Sequence, residues 1–138
     1  MIEAILAAIV EALGEIEGVP TLGTWEGDVD EIVARPQRLP ALQVCYDGAD
    51  FGEKATIGAN QADITQEFTV VAIARSLRTR AEGAASCHAL VEAVRTALIG
   101  LKVEGYGHLW PVREDLVLAE GGVIAYGCTY KIVSRWGA

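Results

Sequence analysis

Apolar residues recur along this chain in two periods. Ile2, Ile5, Leu6, Ile9, Leu13 and Ile16 fall at helical spacing with acids mostly between them, which predicts an amphipathic first helix ending near Gly18, with Pro20 just beyond. Such a stripe is expected to pack into a core. An exposed, partner-binding helix is the alternative. A second stripe, Ala84, Cys87, Val91, Val94 and Leu98, predicts a second long helix within "LRTRAEGAASCHALVEAVRTALIG", with Gly100 as its stop.

Between and after these helices the period drops to two. A short strand is expected around Leu22 to Trp25. The segment "GDVDEIVARP" reads as a helical turn capped by Asp28 and stopped by Pro36. From about Ala41 to Tyr46 a strand follows, with Leu42, Val44 and Tyr46 on one face and Gln43 and Cys45 on the other. In "ITQEFTVVAIARS", Phe68, Val70, Ala72 and Ala74 face one way and Val71 and Ile73 the other. Apolar residues on both faces predict a central strand or a sheet covered on both sides. Two alternating runs around Gly121-Gly122 predict a β-hairpin, with Ile124, Tyr126, Cys128, Tyr130 and Ile132 sharing a face. "LKVEGYGHLWPVRED" reads as irregular.

The stretch "GADFGEKATIGANQAD", rich in Gly, Asp and Asn, predicts a long inter-strand loop at about 48–63. The elements then run α, short β, short α, β, long loop, β, α, β, β. This order gives an α+β class: one largely antiparallel β-sheet of about four strands, with two long helices packed on one face. The 138 residues and 51% hydrophobic content suit a single domain spanning 1–138.

Charge narrows the function. A formal net charge of −8 disfavours nucleic acid and anionic lipid as partners, so neither sequence-specific nucleic-acid binding nor membrane association is expected. No apolar run approaches the roughly 20 residues that span a bilayer. The first 18 residues lack a basic start and carry Glu3, Glu11, Glu15 and Glu17, so they are expected to belong to the folded domain. Cys45, Cys87 and Cys128 form no CxxC pair and are expected to be reduced, buried thiols.

Catalytic chemistry is not signalled. Cys87 and His88 are adjacent on a helix, about 100° apart, and do not form a nucleophile–base pair. His108, beside Trp110 and Pro111, reads as a packing residue in a loop. The acids Asp28, Asp30, Glu31 and Glu114, Asp115 lack a metal-binding pattern and read as solvated surface. The glycines of the long loop match no phosphate-binding motif. The chain is therefore expected to be no enzyme and to carry no cofactor or metal.

Two features point to assembly. One is the long polar loop. The other is Trp25, Trp110 and Trp136, in or near loops and the chain end, since interface cores favour Trp, Tyr and Arg. Arg75, Arg78 and Arg80 meet at a strand-to-helix corner, facing solvent or an anionic partner. The candidate assembly interface is Trp25, Asp50, Phe51, Glu53, Lys54, Arg75, Arg78, Arg80 and Trp110.

The succession "MIEAILAAIVEAL", "LGTWEGDVDEI", "RLPALQVCYDG", "FTVVAIARSLR", "LVEAVRTALIG" and "LVLAEGGVIAYGCTYKIV" covers nearly the whole chain. It resembles the Mu-like phage and prophage proteins of the head–tail joining region, and the element order is similar to that of phage tail terminator proteins. Its markers are Pro40-Ala41 leading into a strand, Gly48 after it, and the Tyr126 strand. The resemblance implies a virion structural protein, assembled in the bacterial host cytoplasm. It would form a hexameric ring that caps the tail tube, touching tube, sheath and head–tail connector proteins. A different connector or adaptor role, or a small ligand-binding α+β domain, are the alternatives.

Overall fold

The computed structural model describes residues 1–27, 31–32, 37–54, 58, 60–75 and 80–137. Helix α1 spans Ile2–Leu13 and buries Ile5, Leu6, Ile9 and Leu13. It ends earlier than the spacing predicts. The Gly14 N–H still donates to Val10 and Glu11, but Glu15 and Ile16 N–H groups reach back only three residues, and Gly18 then turns the chain at φ 78. Ile16 lies beyond the helix and still packs against the core.

Five strands form the main sheet, in the order β1-β2-β3-β7-β6. These are β1 (Thr21–Thr24), β2 (Ala41–Lys54), β3 (Ala62–Arg75), β6 (Trp110–Glu120) and β7 (Val123–Trp136). Helix α2 spans Arg80–Leu98 between β3 and a two-stranded hairpin, β4 (Lys102–Val103) and β5 (Gly107–His108). The sheet has five strands rather than about four. The short strand expected around Leu22 to Trp25 is β1 (Thr21–Thr24), and it joins the sheet as an edge, parallel to β2 from Thr21↔Ala41 to Thr24↔Val44. All other pairings in the sheet are antiparallel. Parallel neighbours need a crossover, and residues 25–40 provide it. The predicted cap at Asp28 and stop at Pro36 lie outside the described residues.

The expected loop at about 48–63 is mostly strand. β2 continues past Tyr46 and pairs Gly48↔Glu67, Ala49↔Gln66, Asp50↔Thr65 and Phe51↔Ile64, closing at Lys54↔Ala62. Irregularities between Tyr46 and Gly48, and between Phe51 and Lys54, absorb the glycine- and aspartate-rich sequence. Gly48 sits at φ 132, which an L side chain rarely adopts.

The segment expected to be irregular holds β4, β5 and the start of β6. His108 is exposed on β5, not packed in a loop. Pro111 lies in β6, an edge strand, where a missing ladder N–H is tolerated.

Alternation along the strands divides the buried residues. The main cluster joins Ile5, Ile9 and Leu13 of α1 and Leu90, Val94 and Leu98 of α2 to strand residues that include Val44, Phe68, Val70, Cys128 and Tyr130. Val71 and Ile73 point the other way and pack with Ile32, Ala41, Cys45 and Ala125, with Trp25 and Leu39 against them. β3 is thus central and apolar on both faces, as its sequence predicts.

Candidate assembly surface

Among the described residues, the surface is organised about the two ends of β3. At the end where β3 begins, strands β2, β3 and β7 are paired to their tips: Lys54↔Ala62 and Ala62↔Trp136. The alternation places Phe51, Ile64 and Trp136 on one face. Phe51 and Trp136, from the strands flanking β3, meet edge to face with ring centroids 6.3 Å apart. They remain 61% and 50% exposed. Together with Gly52, Asn60, Gln61 and Ala62 they line an open hollow of about 460 Å³. Asp50 and Glu53 are exposed at the same tip, and neither has an ion-pair partner among the described residues. Lys54 closes β2 there.

At the opposite end, Arg75 terminates β3 beside Val123 and is exposed. Arg80 opens α2, and Arg78 lies outside the described residues. Arg38 is exposed just before β2 begins, and its carbonyl accepts a hydrogen bond from Thr21 Oγ1 at 2.7 Å. Since Ala41 stands opposite Ile73, Arg38 shares this end with Arg75. Arg38 was not among the sequence candidates; "RLPALQVCYDG" reads as local strand entry until the β2–β3 register is known.

Trp25 follows β1, its N–H donating to Val44 at 2.9 Å. It is only partly exposed and packs against the second cluster, while also lining a groove of about 400 Å³ with Ile2, Leu6, Tyr46 and Asp47. Trp110 opens β6 and is 57% exposed. It stands opposite Lys131, on the face away from Phe51 and Trp136. The structure therefore brings together Asp50, Phe51, Glu53 and Lys54 at one tip. It separates them from Arg75 and Arg80, and from Trp25 and Trp110. Trp136, which the sequence marks with Trp25 and Trp110 as pointing to assembly but does not place in the candidate interface, completes the tip, because its contact with Phe51 depends on both flanking strands reaching the end of β3.

Several other polar groups are paired within the chain, while the buried Gln66 amide and Tyr130 hydroxyl find no hydrogen-bond partner among the described residues. Arg95 Nε and Nη2 donate to Glu114 at 2.7 and 2.5 Å, tying α2 to β6, and this bond to Glu114 raises the Arg95 pKa. Arg113 pairs with Asp115, and Arg135 with Asp63. Asp47 accepts the Thr69 hydroxyl hydrogen bond at the β2 bulge. His88 Nε2 lies 3.1 Å from the Tyr126 hydroxyl. Cys87 is fully buried, 3.7 Å from the carbonyls of Ala72 and Ile124, so thiol and imidazole point into different surroundings. Burial pushes the Cys45 and Cys87 thiols up to about 11 and Cys128 to about 12. These are poor nucleophiles. No group of three or more His, Cys, Asp or Glu among the described residues is placed to hold a metal. No described helix is long and apolar enough to cross a membrane.

Comparison with known proteins gives this geometry a context. A family model described as phage tail terminator protein matches residues 2–134. Among solved structures, the chain is similar to one from the virion of a native gene transfer agent (GTA) particle. The TM-score is 0.63 at 19% identity, covering 98% of this chain and 97% of that one. At that identity the likeness speaks for the fold. A search of curated proteins finds no match. The family model takes in the helices, the sheet and both ends of β3, and on that footing the chain belongs to the phage tail terminator family, as a structural protein of tail completion.

Proposed function

We propose that this protein closes the finished phage tail by assembling as a hexameric ring on the end of the tail tube, where it joins the tail to the head. The observation that carries the reading is the family match over residues 2–134. Its partners are further copies of itself, the tube or sheath, and the head–tail connector. The ring belongs to a Mu-like phage or prophage, is assembled in the host cytoplasm and stays in the virion. It works by contact alone, without cofactor or catalysis. Each subunit folds as a single domain over residues 1–138, with both long helices on one face of the sheet. The interface draws on Asp50, Phe51, Glu53, Lys54, Arg75, Arg78 and Arg80, with Trp25 and Trp110 contributing at other contacts. A net charge of −8 fits a passage through which DNA moves without sticking.

The test is electron microscopy of isolated tail tubes mixed with the protein. Rings of sixfold symmetry on one tube end are expected. Protein that stays monomeric at high concentration and leaves both tube ends bare sinks the proposal.

A further inference from the structure

The two ends of β3 are chemically opposite, and among the described residues Arg38 and Arg75 at one end and Asp50 and Glu53 at the other form no ion pair. Four ion pairs among the described residues consume Arg95, Lys102, Arg113 and Arg135. Arg38, Arg75 and Lys131 are in none of these pairs, and Arg38 and Arg75 lie together at the end where β2 begins and β3 finishes. Two like charges gathered at one end repel. At the far tip, Asp50 and Glu53 are likewise without ion pairs, beside the exposed rings of Phe51 and Trp136.

These ends cannot meet within one subunit. β3 has 14 residues, and at about 3.4 Å per residue its ends stand about 45 Å apart. They can meet between subunits, because charged and aromatic groups left open at one end match guanidinium groups left open at the other. Arginine is suited to both halves of such a contact: it pairs with carboxylates and stacks on aromatic faces.

We infer that subunits join head to tail along the strand direction, the Asp50–Glu53 tip of one copy with its Phe51–Trp136 pair docking on the Arg38–Arg75 end of the next. This rests on the ring reading above and gives it a direction. A contact between two different patches of the same chain is heterologous and closes into a ring when its rotation permits. Six repeats of about 45 Å would set subunit centres on a circle about 90 Å across.

Charge reversal tests the pairing. One variant carries Asp50→Arg with Glu53→Arg; a second carries Arg38→Glu with Arg75→Glu. Copies per assembly are counted by native mass spectrometry and by electron microscopy on tail tubes, with melting temperature as the check on folding. Each variant alone should need about tenfold or more protein to assemble, since like charges would face each other. An equimolar mixture should recover assembly, because the two variants can alternate around a ring of even number. The chain carrying all four reversals should recover it too. Should a reversal lower the melting temperature, Asp50→Asn with Glu53→Gln takes its place, and a weaker loss of assembly is expected.

Wild-type rings that persist in both reversed variants would overturn the pairing and leave the ring reading intact. So would losses that neither the mixture nor the fourfold variant repairs. Loss of duplex DNA binding in the Arg38→Glu, Arg75→Glu variant, with rings intact, would assign the arginines to phosphate and also overturn it. A wild-type protein that forms no ring on tubes would remove the ring reading, and this pairing with it.

Discussion

Cys87 and His88 are neighbours in sequence and belong to different environments in the structure. The apolar stripe of the second helix already places Cys87 inward, and it is fully buried. His88 of α2 meets Tyr126 of β7, a contact set by the helix–strand packing and invisible in the local sequence. The three free thiols have a measurable consequence. An ordinary thiol sits at 9.0, and burial raises these to about 11 and 12. Below pH 9 both folded and unfolded chains keep the protons, so the thiols add no pH dependence. As pH rises above 9 the unfolded chain releases them while the folded chain holds them, so folding stability falls across the window from 9 to 12. Urea melts at pH values of about 8 and 10 should show this loss, and it should be smaller in Cys128→Ala than in the wild type after normalising for stability at the lower pH. At about pH 8 a thiol reagent should leave all three cysteines untouched until the protein is unfolded.

The long strands β2 and β3 show why element boundaries were partly hidden. Gly48, Gly52, Asp47 and Asp50 carry turn chemistry, and read singly they predict a loop. In the fold they sit in a bulged strand whose ladder partner, β3, supplies the hydrogen bonds. Pairing with a regular neighbour overrides weak strand propensity. The hairpin between β6 and β7 is the opposite case. Gly121 and Gly122 have φ 62 and 78, the two positive values a tight hairpin turn requires, so sequence and structure agree. Gly121→Asn should be tolerated there, whereas Gly122→Val should cost about 1–2 kcal/mol because a β-branched residue resists that backbone region. Midpoints of urea unfolding would separate the two. Gly107 answers to a different constraint. At φ 126 an added Cβ would meet the Val133 carbonyl oxygen at 2.9 Å, so the β4–β5 hairpin presses on β7 through a residue whose sequence gives no such sign.

For the whole molecule, the aromatic residues divide into those that hold the fold and those left outside it. Phe68 is fully buried at the centre of the main cluster, and Phe68→Ala should cost about 3–5 kcal/mol. Phe51 and Trp136 are exposed and meet edge to face. Replacing both by Ser should leave the melting temperature close to that of the wild type while abolishing ring formation on tubes. Calorimetry beside electron microscopy reads both effects, and unfolding of the double variant would show that the pair belongs to the core. The sequence by itself determined the mixed α+β class, the two helices with their inward stripes, the central apolar strand and the closing hairpin. Each of these is written in local periodicity, because burial of one face imposes a period of 3.6 or 2 on the residues that supply it. Only the tertiary structure decided that β1 lies parallel to β2, and that the glycine-rich stretch is strand. It alone brought Phe51 to Trp136 and Arg38 to Arg75. Those facts depend on register between distant segments, and register is fixed by pairing and packing of the assembled sheet rather than by any short stretch of the chain.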